Sequence, residues 1–490
     1  MAKSIFKNYI YNVAYQIATL LLPLVTTPYV SRVLLPEGIG TAAFINSITQ
    51  YFIIAGTLGI SMYGNRQIAY CRDDRLKLSE TFWSIYSLQI VFSIMSTFAY
   101  IFFVMIFVDP NIRLLYFISG ISLFGMMMDI TWYFNGQEEF QKTVTRNLIV
   151  KLVGILLIFT LVKDFNDLWL YIFISSFTSF LGQAIMWVYI PKEVQKVKIS
   201  KGEIFSHFLP ALKIFIPQIA IQVYTVMDKT MIGVISNTAE VAYYENSQRI
   251  VKMALGLATS LGIVMMPRIS NYFANKEYEN ITKYINKSFI YISFLTFPLT
   301  FGIMGIAPEF VPWFFGEAFL PVIPNMIIIS PIMIAIGWSN ILGVQLMLPI
   351  KKEKEFTISV TSGAIVNFLL NIVLINKFNS LGAAMSSVIA ESLVTTVRFI
   401  YMKKYVDLMT LLKVIRKYSI GSLIIFSVVR IIGYFMGISI LTKILQIICG
   451  IIVYAMYSFL THSEVVFYFI NRFLKKCGVF KKLSLSLNYS

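Results

Sequence analysis

The sequence predicts an all-α integral membrane protein with about fourteen transmembrane helices, and its composition and the length of its apolar runs predict this. Of the 490 residues, 57% are hydrophobic and 13% are charged. Soluble domains are about a quarter charged, so a soluble fold would leave much apolar surface in water. The apolar runs are about 20 residues long, which suits helices that cross a bilayer. A β-barrel would instead alternate apolar and polar residues over about ten positions.

Each predicted helix is a mostly apolar stretch between polar loops, because every backbone amide in lipid must be bonded within the protein. The predicted spans are 9–33, 39–64, 81–107, 113–134, 147–163, 167–190, 209–235, 240–266, 285–308, 320–348, 356–376, 381–402, 417–436 and 440–461. The N-terminal stretch lacks the short apolar core and the small-residue cleavage site of a signal peptide. We therefore interpret it as the first membrane helix.

Basic residues are distributed unequally between the two sets of loops. The loops on the side of both termini hold 29 of the 41 Lys and Arg residues, and the opposite loops hold 5. Because cytoplasmic loops retain Lys and Arg, this bias predicts cytoplasmic termini and an even number of helices. The formal charge of +17 is spread over many short loops, which argues against a nucleic-acid surface.

The predicted helices group into two lobes. A polar stretch at 191–207 is predicted to be a cytoplasmic linker between an N-terminal lobe, 1–190, and a C-terminal lobe, 208–403. Residues 404–490 are predicted to add two helices and a basic cytoplasmic tail, which begins at Arg472 and lies against anionic headgroups. Weak similarity between the stretches PEGIGTAAFINSI and NTAEVAYYENSQRI favours repeated halves, which are typical of transporters.

Motifs for catalysis, cofactors or metals are missing from the sequence. It contains no Gly-rich phosphate loop followed by Lys-Ser/Thr, no HExxH helix and no long polar segment for a soluble catalytic domain. Its three cysteines and two histidines lack the spacing of a disulfide framework or a metal site. We therefore predict a protein that is not an enzyme and has no cofactor or metal. A membrane glycosyltransferase or glycan polymerase is the less favoured alternative.

Two predicted helices carry polar faces inside the membrane, where charge is costly unless it faces a bundle interior or a hydrated cavity. The polar residues of helices 7 and 8 recur at the spacing of one helix face, and they are Gln218, Gln222, Thr225, Lys229, Glu245, Arg249, Lys252 and Thr259. Helix 2 adds Asn46 and Gln50. This set favours a net-basic cavity for an anionic substrate, with phosphate as a natural match. The alternative is helix packing, in which Asp228 or Glu245 pairs with Arg249.

Two other constellations are predicted to be structural. Asp129 and Lys151 are about equally far from the turn between helices 4 and 5, which predicts an ion pair between these helices. Asn367 and Glu391 are level across the turn between helices 11 and 12, and Asn371 extends the Asn367 face by one helical turn.

Four motifs, spread over nearly the whole chain, resemble a known family: PYVSRVLLPEGIGTAAFINSI, DITWYFNGQEEF, MDKTMIGVISNTAEVAYYENSQRI and NFLLNIVLINKFNSLGAAMSSVIAE. With about fourteen helices, the chain resembles a Wzx-like polysaccharide (lipid-linked oligosaccharide) flippase of the multidrug/oligosaccharidyl-lipid/polysaccharide exporter superfamily. The resemblance implies two six-helix lobes, two further C-terminal helices, alternating access and a place in the bacterial cytoplasmic membrane.

The resemblance also implies a substrate, a polyprenyl-pyrophosphate-linked oligosaccharide that moves from the inner to the outer leaflet. The headgroup contacts that it implies, together with the polar residues nearby, are Arg32, Lys229, Arg249, Lys252, Gln222, Asn46 and Gln50. Membrane lipids and a coupling ion, Na⁺ or H⁺, complete the implied partners. Two alternatives stay open: a flippase for a peptidoglycan or teichoic-acid precursor, and a drug or cation antiporter, which would favour acidic cavity residues.

Overall fold

The computed structural model describes residues 5–190, 194–259 and 262–468, and the regular secondary structure of these ranges is helical throughout. The predicted basic tail from Arg472 lies outside the described residues, as does the part of the predicted linker at 191–193. Ten stretches of the described chain are long and apolar enough to cross a membrane. These observations confirm the prediction of an all-α membrane protein, and the count of about fourteen crossings stays a prediction.

The chain divides into two compact units. Unit 1 comprises Met1–Glu245 and Phe368–Ala383, and unit 2 comprises Asn246–Asn367 and Ala384–Ser490. The unit boundaries fall inside helices rather than in loops. The predicted division into lobes at 1–190, 191–207, 208–403 and 404–490 stays a prediction.

Unit 1 contains ten complete helices and the beginning of an eleventh. They are α1 (Ile5–Thr57), α2 (Ile60–Cys71), α3 (Arg75–Phe107), α4 (Arg113–Ser119), α5 (Ile121–Met127), α6 (Thr131–Gly136), α7 (Phe140–Leu161), α8 (Leu168–Met186), α9 (Lys201–Ser206), α10 (Phe208–Ile235) and the start of α11 (Thr238–Thr259). The long α1 is interrupted at Leu35, whose φ of 55° is left-handed. Pro36 follows at once and disfavours helical geometry at Leu35, so the break falls in the turn predicted between helices 1 and 2.

The motif DITWYFNG explains why predicted helix 4 is broken. Gln89 of α3 donates to the carbonyl oxygen of Met126 in the last turn of α5, at 2.9 Å, and to that of Asp129 between α5 and α6, at 2.8 Å. The indole of Trp132 donates to Oε1 of the same glutamine at 3.0 Å. A buried polar group must be bonded, and here one glutamine satisfies the backbone that the break exposes. Aromatic side chains around Phe82 and Tyr133 fill the surrounding core.

Unit 2 contains the rest of α11 and seven further helices. They are α12 (Gly262–Ala274), α13 (Tyr278–Phe314), α14 (Val322–Ile329), α15 (Ile332–Asn340), α16 (Glu353–Met402, of which Phe368–Ala383 belongs to unit 1), α17 (Leu408–Met436) and α18 (Ile440–Leu460). Predicted helix 10 is divided at Pro331, and it ends in a π-helical stretch at Ile341–Met347. The 50-residue α16 is interrupted at Asn379, with φ 51°, in the turn predicted between helices 11 and 12.

Candidate functional site

The polar groups where α10 meets the start of α11 are bonded across the two helices. Nζ of Lys229 lies 3.1 Å from Oε2 of Glu245, and both side chains are less than a fifth exposed. The neighbouring carboxylate of Asp228 accepts hydrogen bonds from the Tyr244 hydroxyl and, at 2.7 Å, from Nδ2 of Asn371 on α16. Both carboxylates therefore have partners other than Arg249, the partner that the sequence suggested for them. Asn371, which was predicted to extend the Asn367 face, contributes to this polar cluster.

The second half of α1 packs against α10 beside this cluster. The hydroxyls of Ser47 and Thr230 are 2.9 Å apart, and Tyr51 also hydrogen-bonds Thr230. On the same half of α1, Asn46 is exposed and Gln50 is half-buried. The structure thus packs the second half of α1 against α10 through Ser47 and Thr230. The proximity of Asn46 and Gln50 to the predicted polar face of helix 7 stays a prediction.

Three turns meet at this end of unit 1: 35–40 in α1, 236–240 from the end of α10 into the first turn of α11, and 379–382 in α16. A Cβ on Gly40 would lie 1.6 Å from the carbonyl oxygen of Thr238, so only glycine permits this approach. Oγ of Ser236 donates to Oδ1 of Asn379 at 2.9 Å. The carboxylate of Glu240 accepts from the hydroxyl of Ser380 and, at 3.1 Å, from its backbone nitrogen. The turn before α11 therefore joins the other two.

The remaining predicted binding residues are distributed over both units. In unit 2, Lys252 of α11 is exposed and donates to Oε1 of Gln248 at 2.9 Å, and Arg249 is half-buried one turn away on the same helix. In unit 1, Arg32 is exposed and donates to the carbonyl oxygen of Pro28 at 3.0 Å, and Gln222 is exposed on α10. The assembly of the seven predicted residues into one binding site stays a prediction.

Asp129 has a local role at the beginning of α6. Its Oδ1 accepts hydrogen bonds from the backbone nitrogen of Thr131, at 2.9 Å, and from the Thr131 hydroxyl. A carboxylate in this position satisfies backbone donors that the first helical turn leaves unbonded. Lys151 lies on α7 and is exposed. The ion pair between Asp129 and Lys151 stays a prediction.

Charged groups of unit 2 that are bonded by other helices were not singled out from the sequence. Arg398 of α16 is 5% exposed, and it donates to Ser339 and Ser359 at 2.7 to 2.9 Å. Nη1 of Arg430 lies 2.9 and 3.0 Å from the two carboxylate oxygens of Glu309, and Gln446 donates to the same carboxylate at 3.1 Å. A sequence signal for these groups exists, because both arginines are charges within apolar runs. Their partners could not be predicted, because they lie far away in the sequence.

Comparisons with known proteins agree with this architecture. A profile of the family described as "Polysaccharide biosynthesis protein" matches residues 5–273, more than half of the chain. The chain is 25% identical to a "Putative O-antigen transporter" of Escherichia coli (strain K12) over 403 residues, which cover 82% of this chain and 97% of that protein. It is 24% identical over 235 residues, 47% of this chain and 49% of the relative, to the "Probable low-salt glycan biosynthesis flippase Agl15" of Haloferax volcanii.

A solved structure supports the fold independently of the family profile. The structure described as "Lipid II flippase MurJ, inward closed conformation" matches with a TM-score of 0.74 at 17% identity, over 94% of this chain and 100% of that one. At this identity the match concerns the fold, which is a helical membrane fold in both proteins. The family itself is shown by the profile match over residues 5–273. The chain belongs to the polysaccharide biosynthesis protein family.

Proposed function

We propose that the protein flips polyprenyl-pyrophosphate-linked oligosaccharide repeat units from the inner to the outer leaflet, by alternating access, for assembly of a capsule, exopolysaccharide or O-antigen type of polysaccharide. The observation that carries the proposal is the similarity to a putative O-antigen transporter along 97% of that protein's length. The relative named as a glycan biosynthesis flippase supports the same class of cargo. Both relatives are named for glycan export or biosynthesis, which favours a lipid-linked glycan.

Arg249 and Lys252 are the residues that we propose to bind the pyrophosphate. They lie three residues apart on α11 and therefore share one helix face. The guanidinium offers a planar fork of donors and the ammonium a compact charge, and both match phosphate oxygens. Lys229 is paired with Glu245 at 3.1 Å, so we propose for it a supporting role. Arg32, Gln222, Asn46 and Gln50 are the further candidate contacts.

The experiment is transport by the double variant Arg249→Gln, Lys252→Gln in proteoliposomes loaded with the lipid-linked oligosaccharide. Each charge-assisted hydrogen bond contributes about 1.5–3 kcal/mol, and 1.4 kcal/mol corresponds to tenfold in binding. We therefore expect at least a tenfold lower transport rate at limiting substrate, with a normal yield of folded protein, because glutamine keeps the polarity and much of the length.

The matched control is Lys283→Gln, Lys287→Gln, which removes the same charge from exposed positions on α13. This variant should transport at the wild-type rate. Wild-type transport by the α11 variant, or an equal loss in both variants, would contradict the assignment of the substrate site. In a deletion strain, a peptidoglycan or teichoic-acid precursor that accumulates in the inner leaflet would favour those cargoes, and loss of cationic-drug efflux would favour the antiporter.

The remaining features of the proposed transporter follow from the loops and from the family. We propose that both termini are cytoplasmic, since 29 of the 41 basic residues lie on that set of loops. The membrane is then the bacterial cytoplasmic membrane. A gradient of Na⁺ or H⁺ is the candidate driving force. The absence of sequence motifs for catalysis supports a protein that is not an enzyme.

A further inference from the structure

A cleft of about 410 Å³, lined by apolar as well as polar side chains, lies within unit 1, between α1, α7 and α8. Its volume falls in the range of small-ligand sites. Arg146, Asn147 and Lys151 line it from α7, and Gln183 lines it from α8. None of the predicted binding residues is among the described residues that line it, so the cleft is distinct from the proposed substrate contacts.

The charge of the cleft is basic. Its described lining contains Arg146 and Lys151 and no acidic side chain. Arg146 is only 7% exposed, and its Nη1 lies 3.2 Å from the position that a Cβ on residue 182 would occupy. Glycine at position 182 therefore lets the guanidinium lie against the backbone of α8. A deeply placed guanidinium beside a cleft creates a local potential that favours anions.

Two amide side chains add hydrogen-bonding groups to the same cleft. Oε1 of Gln183 is buried and has no hydrogen-bond partner among the described residues. Buried polar groups are normally bonded, so this amide indicates a place for a ligand or water. Rotation of the amide by 180° exchanges its oxygen and nitrogen, and the side chain then presents an N–H donor. Asn147 lies one residue beyond Arg146 and also lines the cleft.

The cleft and the lipid face of α7 are on opposite sides of the helix. The exposed apolar side chains of this helix include Ile149, Leu152, Val153 and Leu156. Successive residues of a helix are turned by about 100°, so these positions lie away from the face that carries Asn147, Lys151 and Gly154. The exposed apolar face suits acyl chains, and the basic and amide side chains of the cleft suit a headgroup.

We propose that this cleft binds a phosphate group of a lipid. Its donors are one guanidinium, one ammonium and two amides, which match the oxygens of a phosphate or pyrophosphate. Two kinds of lipid carry this group. If the ligand is the polyprenyl pyrophosphate, the inference rests on the proposed function and adds a second headgroup site to it. If the ligand is an anionic phospholipid, the cleft is a lipid site independent of the cargo.

The test uses the full-length protein in detergent with Ser179→Cys, because Ser179 is exposed and lines the cleft. Labelling of this cysteine by a hydrophilic thiol reagent is read at its own peptide by mass spectrometry, so the native cysteines do not interfere. Inorganic pyrophosphate should slow the labelling. In Lys151→Gln and in Arg146→Gln, the concentration that gives half-protection should rise at least tenfold, the effect of one lost charge-assisted bond.

Lys142→Gln is the matched control on the same helix. Lys142 pairs with Glu139 at 2.7 Å and is not among the described lining residues, so its loss should leave protection unchanged. Arg249→Gln, Lys252→Gln should also retain protection, which separates this inference from the proposed function. If Arg146→Gln does not fold, the loss of protection is measured in Lys151→Gln and in Gln183→Leu instead. Unchanged protection in both, or an equal loss in Lys142→Gln, would overturn the proposal.

The source of the phosphate is identified with lipid ligands. Short-chain phosphatidylglycerol and a short-chain polyprenyl pyrophosphate are compared with zwitterionic phosphatidylcholine in the same protection assay. Protection by phosphatidylglycerol alone would identify a phospholipid site, and protection by the polyprenyl pyrophosphate alone would identify a second substrate site. Protection by neither lipid, or equal protection by phosphatidylcholine, would show that the cleft is not a site for lipid phosphate.

Discussion

Arg398 on α16 and Lys252 on α11 are both basic residues within helices of unit 2, and the protein surrounds them differently. Arg398 is buried, with three hydrogen bonds of 2.7 to 2.9 Å to two serines and its guanidinium 4.4 Å from the ring centre of Phe356. Lys252 is exposed and donates to Gln248 of its own helix. The first base is integrated into the packing of several helices, and the second extends from the surface of one.

The comparison shows that a basic residue within an apolar run can have either of two roles. A base whose donors are taken up by groups from other helices stabilises the fold, and its removal leaves those groups unbonded. An exposed base contributes little to stability, so a defect in transport after its removal reports on the substrate. Hydropathy does not distinguish a stabilising base from a substrate-binding base, but substitution of the residue does.

The largest effect is expected for Arg398→Met. This change removes the donor that bonds the Ser339 carbonyl and the hydroxyls of Ser339 and Ser359, and each buried acceptor left unbonded is expected to cost about 1–3 kcal/mol in the free energy of unfolding. Thermal unfolding in detergent and the yield of folded protein should both fall. Lys252→Met is the matched change at the exposed site and should alter the unfolding temperature little. Equal stability of the two variants would show that Arg398 is no more important for the fold than Lys252.

An intermediate effect is expected when two ion pairs are compared by double-mutant cycles. Arg430 contacts both oxygens of Glu309, and we expect a coupling of about 1–3 kcal/mol in the free energy of unfolding. Lys229 contacts Glu245 through one oxygen at 3.1 Å, and we expect a smaller coupling because one contact is made instead of two. The free energy of unfolding for both cycles is measured by titration with a denaturing detergent. A larger coupling for Lys229 and Glu245 would assign that pair to the fold rather than to the substrate.

The smallest effect concerns a titratable group outside the membrane spans. Nδ1 of His207, between α9 and α10, lies 2.6 Å from the Tyr63 hydroxyl, and burial lowers the pKa of His207 below its usual 6.5. Below pH 6.5 the unfolded chain therefore binds a proton before the folded chain does, so stability falls as the pH falls through this range. We expect a loss of less than about 1 kcal/mol between pH 7.5 and 5.5.

The pH effect is checked with His207→Gln, which keeps a hydrogen-bonding group but does not titrate. The difference in unfolding temperature between pH 7.5 and 5.5 should be smaller in this variant than in the wild type. The same pH dependence in both proteins would show that other groups cause it. A pronounced dependence on His207 would place this residue closer to Arg398 than to Lys252 in its importance for the fold.

The helices and their turns could be predicted from the sequence to a large extent. The interruptions at Leu35 and Asn379 fall in predicted turns, because proline after the first and a residue tolerant of positive φ at the second are local signals. The division of predicted helix 4 was not foreseen. It depends on Gln89, which lies about 40 positions earlier in the chain and bonds the exposed backbone. A sequence pattern describes one helix and does not show which side chain of another helix meets its break.

Hydrophobic length and the cost of buried charge act locally along the chain, so the amino-acid sequence is sufficient to predict an all-α membrane protein with charged residues inside several helices. Which of these charges are bonded, and to what, depends on how the helices pack. Asn371 reaches Asp228 across 143 positions, and Arg398 meets Ser339 across 59. Hydrogen bonds act over about 3 Å in space and not along the sequence, so only the packing of the helices assigns Arg398 to the fold and exposes Lys252.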